Sequence, residues 1–262
     1  MLEISMAARS ECGARSANED ALHVGDAGAT RFAVLADGAG GHERGAEASR
    51  RVIERVAAEL RANAEDFVPA RLAHAVLAAH EELQRQQVGA AGQQRMHSTV
   101  VALWIDLPRD AAIWSHVGDT RLYRLRYGAV ELLTADDSVV QRMLEGGAIT
   151  AQQAVDHPMK NRLLAALGMQ ESIEPHTSPE RAALEDGDAY LLCTDGWWGA
   201  LVDADFSATL TEADSPEHWL DLMGELIAAR GDAARDNYSA IAVWALDPSE
   251  STQSMPEGTD AA

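Results

Sequence analysis

Strands open and close this chain around a block of helices, and the strand–helix alternation of a parallel sheet is absent. These two observations predict a layered α+β fold. A third sets its scale: 262 residues, 47% of them apolar, can bury a full core and argue against disorder over most of the length. We expect one domain over residues 1–246. The remainder, 247–262, is rich in Ser, Glu, Pro and Gly and is expected to be a disordered tail.

The elements follow from periodicity and punctuation. Leu2, Ile4, Met6 and Ala8 alternate, which predicts a strand over 2–10. A charged loop, Gly13-Ala-Arg15-Ser-Ala-Asn18-Glu19-Asp20, leads to a short strand around Leu22 to Val24. Arg31-Phe-Ala-Val-Leu-Ala is an apolar run of strand length that stops on Asp37. It leaves through Gly38, Gly40 and Gly41 to His42, so the backbone can turn sharply beside the carboxylate. Val52, Ile53, Val56 and Leu60 keep helical spacing within 43–63. Leu72, Val76, Leu77 and Leu83 do the same in a second helix over 69–87 that starts on Pro69. Gly89 to Gln94 reads as a loop.

Strands are predicted at 98–105, 111–117, 121–126 and 129–133. Their turns are short, and we expect an antiparallel meander half exposed on one face. Residues 136–156 read as helix broken at Gly146-Gly147, and 157–168 is ambiguous. Ala189-Tyr-Leu-Leu-Cys193 is a buried strand ending in Thr194-Asp195-Gly196. A helix capped by Ser215-Pro216 runs to about residue 229, and Asp236-Asn237 precedes a last strand over 238–246.

Charge and cysteine usage narrow the function. A net charge of -21 without a local Lys/Arg block excludes nucleic acid and anionic membranes as partners. No run approaches the roughly 20 apolar residues that span a bilayer, and the acidic N-terminus is no signal peptide. Cys12 and Cys193 form no metal-type pair and are expected to be buried free thiols, which suits a reducing compartment. The expected location is the cytoplasm.

The chemistry lies in the carboxylates. Asp37-Gly38, Gly118-Asp119 and Asp195-Gly196 each set an aspartate beside a glycine at the end of an apolar strand. Asp236 stands before a fourth strand, and Glu19-Asp20 lies in the early loop. Two carboxylates ~5 Å apart repel by roughly 3 kcal/mol at an effective dielectric of 20, so a cluster of them calls for cations. All-oxygen donors favour Mg²⁺ or Mn²⁺ over zinc or copper. A pair of such ions can bind a phosphoryl group and acidify a water between them. Arg15 could clamp phosphate oxygens, although a solvated loop arginine is the simpler reading of it. Gly38-Ala-Gly40-Gly41 lacks the Gly-Lys-Ser/Thr of a P-loop, GxSxG is absent, and neither cysteine has a nucleophile's surroundings. Trp197-Trp198 reads as packing behind the strand.

In order and spacing, the series Arg15-x-x-Asn18-Glu19-Asp20, Asp37-Gly38-x-Gly40-Gly41-His42, Gly118-Asp119-Thr120-Arg121, Leu132-x-Thr134-x-Asp136, His157-Pro158, Asn161 to Gly168, Thr194-Asp195-Gly196 and Asp236-Asn237 resembles the bacterial PP2C-type (PPM) serine/threonine protein phosphatases. The likeness covers about 5–246. It implies a four-layer αββα sandwich, two antiparallel sheets flanked by helix pairs, with a metal site between the sheets. It implies that Asp37 bridges two Mn²⁺ or Mg²⁺ ions, with Asp195 and Asp236 completing one shell. The Gly38 carbonyl and Glu19 would serve the other, and Asp119 with Asp195 a possible third ion. Arg15 would hold the substrate phosphate, a water bridging the ions would attack phosphorus, and 137–165 would form a flap. The implied partners are phosphorylated proteins and a cognate Ser/Thr kinase, met by a monomer.

The sequence departs from the pattern in places. Ala39 stands where animal relatives carry a histidine proposed as general acid, Asp137 replaces a histidine after Leu-Thr, and Trp197-Trp198 are bulkier than usual. A catalytically weak regulatory or binding module is the alternative function. The complete set Asp37, Asp119, Asp195 and Asp236 argues against it.

Overall fold

The computed structural model describes residues 1–39, 43–87, 95–155, 157–231 and 236–249. Two antiparallel sheets stack face to face. The first has the order β1 (Glu3–Glu11), β12 (Tyr238–Leu246), β11 (Asp188–Cys193), β7 (Arg121–Arg126), β8 (Ala129–Leu132). The second runs β10 (Ala182–Ala183), β6 (Ala111–Val117), β5 (Val100–Asp106), β3 (Thr30–Ala39), β2 (Asp20–Ala27). Two short strands pair beside that path, β4 (His97–Ser98) on β3 and β9 (His176–Thr177) on β6.

Strand periodicity builds the layers. On β3, Ala33 and Leu35 point to the other sheet, where Leu122, Tyr190, Leu192, Ile241 and Val243 meet them. Phe32, Val34 and Ala36 point the opposite way, onto α1 (Glu43–Ala62) and α2 (Pro69–Gln86) through Val52, Val56, Leu60, Leu72 and Val76. On β12 the alternation repeats, with Ala240, Ala242 and Trp244 facing α6 (Asp203–Glu212) and α7 (Pro216–Arg230). The result is the αββα sandwich, and a central strand such as β3 is apolar on both faces because both are covered. Emptying a fully buried site such as Leu35 or Leu192 to alanine would cost about 3 kcal/mol.

The expected boundaries of β6, β7 and β12 coincide with the observed ones, and those of α1, α2, α7 and β8 lie within a residue or two. The meander does not form. β5 pairs with β6 and β7 with β8, but β6 and β7 belong to different sheets. Gly118-Asp119 is therefore a crossover between layers, and β5 is buried along its whole length instead of half exposed. Positive φ at Gly118 (99°) allows the crossover, and a Cβ there would stand 2.6 Å from Thr99 Cγ2.

Helix α6 escaped the sequence reading because Ser and Thr dilute its helix propensity and only Phe206 and Thr209 are buried. Asp205 starts it, accepting a hydrogen bond from the Val202 amide at 2.8 Å. Residues 136–156 resolve into α3 (Val139–Glu145) and α4 (Ala151–Val155). Ser138 caps α3 by accepting from the Gln141 amide, and the ambiguous stretch beyond touches strand structure at the bridges Ser138–Leu163 and Ser98–Leu167. A short α5 (Asp195–Trp198) follows β11 directly. Cys193 is a buried free thiol, whereas Cys12 is only half-buried and donates its thiol to the Arg15 carbonyl. No helix among the described residues is long and apolar enough to cross a membrane. The expected tail beyond residue 249, the loop at 89–94 and the turn Gly40-Gly41-His42 lie outside the described residues.

Candidate metal centre

Antiparallel pairing delivers the acidic residues to one end of the sandwich. Asp20, at the start of β2, is the register partner of Asp37 near the end of β3. In the other sheet Cys193 pairs with Ala240, so Asp195 just after β11 and Asp236 just before β12 share an end. The Thr194 hydroxyl ties the two sheets there by donating to Asp20 Oδ2 at 3.1 Å. Asp119 enters from the crossover after β6.

Glycines let these segments approach. A Cβ on Gly196 would stand 2.1 Å from the Asn237 carbonyl oxygen, so only glycine fits between Asp195 and the Asp236 loop. A Cβ on Gly38 would stand 2.0 Å from the Gly45 carbonyl oxygen. Gly45, in the first turn of α1, is equally tight: its Cβ would lie 2.0 Å from Glu19 Oε2 and 2.8 Å from the Gly38 carbonyl oxygen. The missing side chain leaves a cradle where a carboxylate oxygen and a carbonyl oxygen converge.

Asn237 holds the loop that carries Arg15 and Glu19. Its side-chain amide donates to the carbonyls of Cys12 and Ala17, each at 2.9 Å, and its oxygen accepts from the Glu19 amide at 2.8 Å. Ser49 on α1 donates to the Glu19 carbonyl at 2.5 Å, and Gly38 donates to the same oxygen at 3.1 Å. The Asp37 amide donates to the Thr99 hydroxyl at 2.9 Å, which fixes the end of β3. Arg15 Nη2 then reaches Asp236 Oδ2 at 2.7 Å.

Negative charge dominates the result. Burial, and then Asp20, Asp195, Asp119 and Asp236 in turn, push the Asp37 carboxyl well above its ordinary range. Burial followed by Asp195 and Asp136 raises Asp119 to about 7. Asp20 and Asp195 are raised by burial and by their acidic neighbours, against the hydroxyls of Ser239 and Thr194 in one case and Arg15 in the other. Asp20 Oδ1 is buried without a hydrogen-bond partner. Such a collection of oxygens is what a hard divalent cation neutralises, and the Gly45 cradle adds an uncharged carbonyl oxygen to the set. The ring is open, however. Among the described residues no three His, Cys, Asp or Glu side chains are grouped closely enough to hold an ion. Asp236 is drawn to Arg15, and mutual repulsion opposes closer approach of the others.

The sequence-selected residues Arg15, Glu19, Asp37, Gly38, Asp119, Asp195 and Asp236 thus come to one end of the sandwich, linked by hydrogen bonds, close packing or mutual charge. Three residues of the site went unselected. Asp20 was passed over although its strand position opposite Asp37 makes it a direct neighbour. Gly45 looked like an ordinary helical residue, and Asn237 acts on a loop 218 to 225 positions away, beyond the reach of local pattern. Asp137, the departure at the head of the expected flap, accepts from the Gly118 amide at 2.9 Å and contacts His176 Nε2 at 2.9 Å. Trp197 is core packing, fully buried, as read. Trp198 packs against the same core from a half-buried position, and its indole also donates to the Asp119 carbonyl.

Known proteins share this fold. A family model described as Protein phosphatase 2C matches residues 8–225. The serine/threonine protein phosphatase PstP of Mycobacterium tuberculosis is 35% identical over 201 residues, which is 74% of this chain and 36% of that protein. The chain therefore spans about a third of that relative's length. Protein phosphatase PhpP of Streptococcus pneumoniae is 31% identical over 191 residues, 70% of this chain and 74% of its own. Among solved structures, the M. tuberculosis phosphatase PstP/Ppp superposes with a TM-score of 0.81 at 28% identity, covering 94% of this chain and 100% of that one. The PstP catalytic domain, solved in complex with two manganese ions, gives 0.78 at 30% identity over the same shares. With that match covering most of the chain, the chain belongs to the protein phosphatase 2C family.

Proposed function

We propose that this chain is a metal-dependent protein phosphatase that hydrolyses phosphoserine and phosphothreonine, in the manner of its named relatives. The observation that carries the reading is the convergence of Asp37, Asp119, Asp195 and Asp236 on one edge, with Arg15 reaching in from the loop. Asp37, Asp195 and Asp236 would hold one Mn²⁺ or Mg²⁺, and Asp37, the Gly38 carbonyl and Glu19 a second. Asp119 with Asp195 offers a third, weaker place. Bound there, the ions would supply Lewis acidity toward the phosphoryl group and its attacking water.

The chain's own residues do the rest. Arg15 is a planar donor fork on the exposed side of the ring, able to take two phosphate oxygens and to orient the ester. Asn237 and Ser49 keep its loop from moving away, so the guanidinium is positioned before substrate arrives. The flap residue Asp137 anchors to Gly118 and so links the substrate-facing segment to the Asp119 crossover. The reading includes reversal of a Ser/Thr kinase by a monomeric chain.

The test is phosphate release from a phosphothreonine peptide by the full chain with MnCl₂, with and without EDTA. Manganese-dependent release that EDTA abolishes supports the reading. No release at any manganese concentration, from a chain that is folded by circular dichroism, would leave the regulatory-module alternative in its place.

A further inference from the structure

Two adjacent indoles follow Asp195-Gly196, and they do different work. Trp197 is fully buried against Tyr238, with ring centroids 5.9 Å apart, and its Nε1 has no hydrogen-bond partner. Trp198 is half-buried, and its Nε1 donates to the Asp119 carbonyl at 2.9 Å. Asp195 and Trp198 are three residues apart on α5 and so lie on one helix face. The turn that aims the Asp195 carboxylate toward Asp119 also carries the indole to the Asp119 backbone.

The far side of that indole is braced. The Arg121 guanidinium lies 3.6 Å from the centre of the Trp198 ring. Arg121 is held in turn by a two-pronged ion pair to Asp136, at 3.0 and 2.8 Å, and by donating to the Tyr123 hydroxyl at 3.0 Å. Asp136 is almost fully buried, and Tyr123 packs edge-on against Phe206 at 5.0 Å. This chain of contacts joins α5, which belongs with one sheet, to the crossover from the other. Trp197 leaves its Nε1 without a partner, whereas Trp198 commits its N–H to the backbone of the crossover that carries Asp119.

We propose that Trp198 is a positioning residue that sets the Asp119 segment against Asp195, with Arg121 as the brace behind it. The inference rests on the reading in which those two carboxylates share a divalent cation. It predicts that the indole N–H matters to metal binding more than to folding.

The test is calorimetric titration of the full metal-free chain with MnCl₂, with thermal melting and peptide kinetics, for Trp198→Phe, Trp198→Leu and Trp197→Phe. Phenylalanine at 198 keeps a ring for Arg121 but loses the donor. The weakest manganese step is expected to loosen on the order of five-fold in Trp198→Phe, the equivalent of one hydrogen bond, and further in Trp198→Leu. In Trp198→Phe, kcat should fall by a similar factor at unchanged KM, with the melting temperature near that of the wild type. Trp197→Phe should lower the melting temperature and leave the manganese isotherm unchanged. A wild-type isotherm in both Trp198 variants, or an equal loss in Trp197→Phe, would overturn the proposal. If the wild type itself releases no phosphate, the phosphatase reading fails, while the isotherms still decide the role of Trp198.

Discussion

Arg15 and Asp236, 221 positions apart, form a 2.7 Å ion pair across the mouth of the carboxylate ring. The Asp236 charge and hydrogen bond raise the arginine's pKa above its already high ordinary value, so it is a permanent cation. On the functional reading, one carboxylate has two prospective partners, the guanidinium now and a metal ion in the working enzyme. The arginine is poised on its exposed side.

Arg15→Ala should therefore damage catalysis without unfolding the chain, because the pair is largely exposed and contributes little to stability. Loss of charge-assisted bonds to phosphate should cost about 10- to 100-fold in kcat/KM. Arg15→Lys should recover only part of this, since an ammonium cannot match two oxygens in one plane. Steady-state kinetics on a phosphothreonine peptide check both variants.

Asp37→Asn should separate stability from activity. The carboxylate is crowded by Asp20, Asp195, Asp119 and Asp236, so removing its charge relieves repulsion in the metal-free chain. Denaturant titration in EDTA should show the variant more stable by about 1 kcal/mol. Phosphate release should fall to background in the same preparation.

Gly45→Ala places helix propensity against site geometry. In an open helix this change stabilises by about 1 kcal/mol. Here the new methyl would stand 2.0 Å from Glu19 Oε2, in the cradle shared with the Gly38 carbonyl. The expected outcome is lower stability and weaker manganese binding, seen by melting and calorimetry. A more stable variant with intact binding would mean that Glu19 can leave the cradle at no cost.

Acid sensitivity should come in part from buried imidazoles. His116 donates from Nε2 to the Ala135 carbonyl at 2.8 Å, stacks on His176 at 5.0 Å, and keeps Nδ1 buried without a partner. Burial lowers its pKa most, and His176 adds to this against the Ala135 carbonyl, Asp137 and Asp136. His80 is lowered by burial too, and its Nδ1 accepts from the Gly168 amide at 3.1 Å. At these two sites the unfolded chain takes up protons that the folded one refuses, beginning near pH 6.5, so their contribution to stability falls as pH drops below that value, opposite in sign to that of the raised carboxyls Asp20, Asp119 and Asp195. For each group the slope approaches about 1.4 kcal/mol per pH unit until its folded pKa is reached. Denaturation between pH 7 and 5 should show the stability of His116→Gln rising relative to that of the wild type as pH drops.

The layers were legible because strands covered on both faces, such as β3 and β12, read as apolar runs of strand length. The Asp-Gly pairs were legible because they punctuate those strands. What local pattern could not carry was pairing at a distance. β6 and β7 look like neighbours of one meander, and only the packing of two sheets makes Gly118-Asp119 a crossover. Asp20 takes its place in the site from register with Asp37, and Gly45 from an oxygen 26 positions earlier, so neither has a local signal. Trp198 resembled its neighbour in sequence and differs from it in exposure, in the Arg121 guanidinium on its ring and in where its N–H ends.

The central claim is that the ring of carboxylates around Asp37 exists to hold divalent cations. Calorimetric titration of the metal-free chain with MnCl₂, for wild type and Asp37→Asn, tests it most directly. The account predicts at least two bound ions for the wild type and loss of the tight binding in the variant. Absence of saturable binding in the wild type, or an unchanged isotherm in Asp37→Asn, would contradict it.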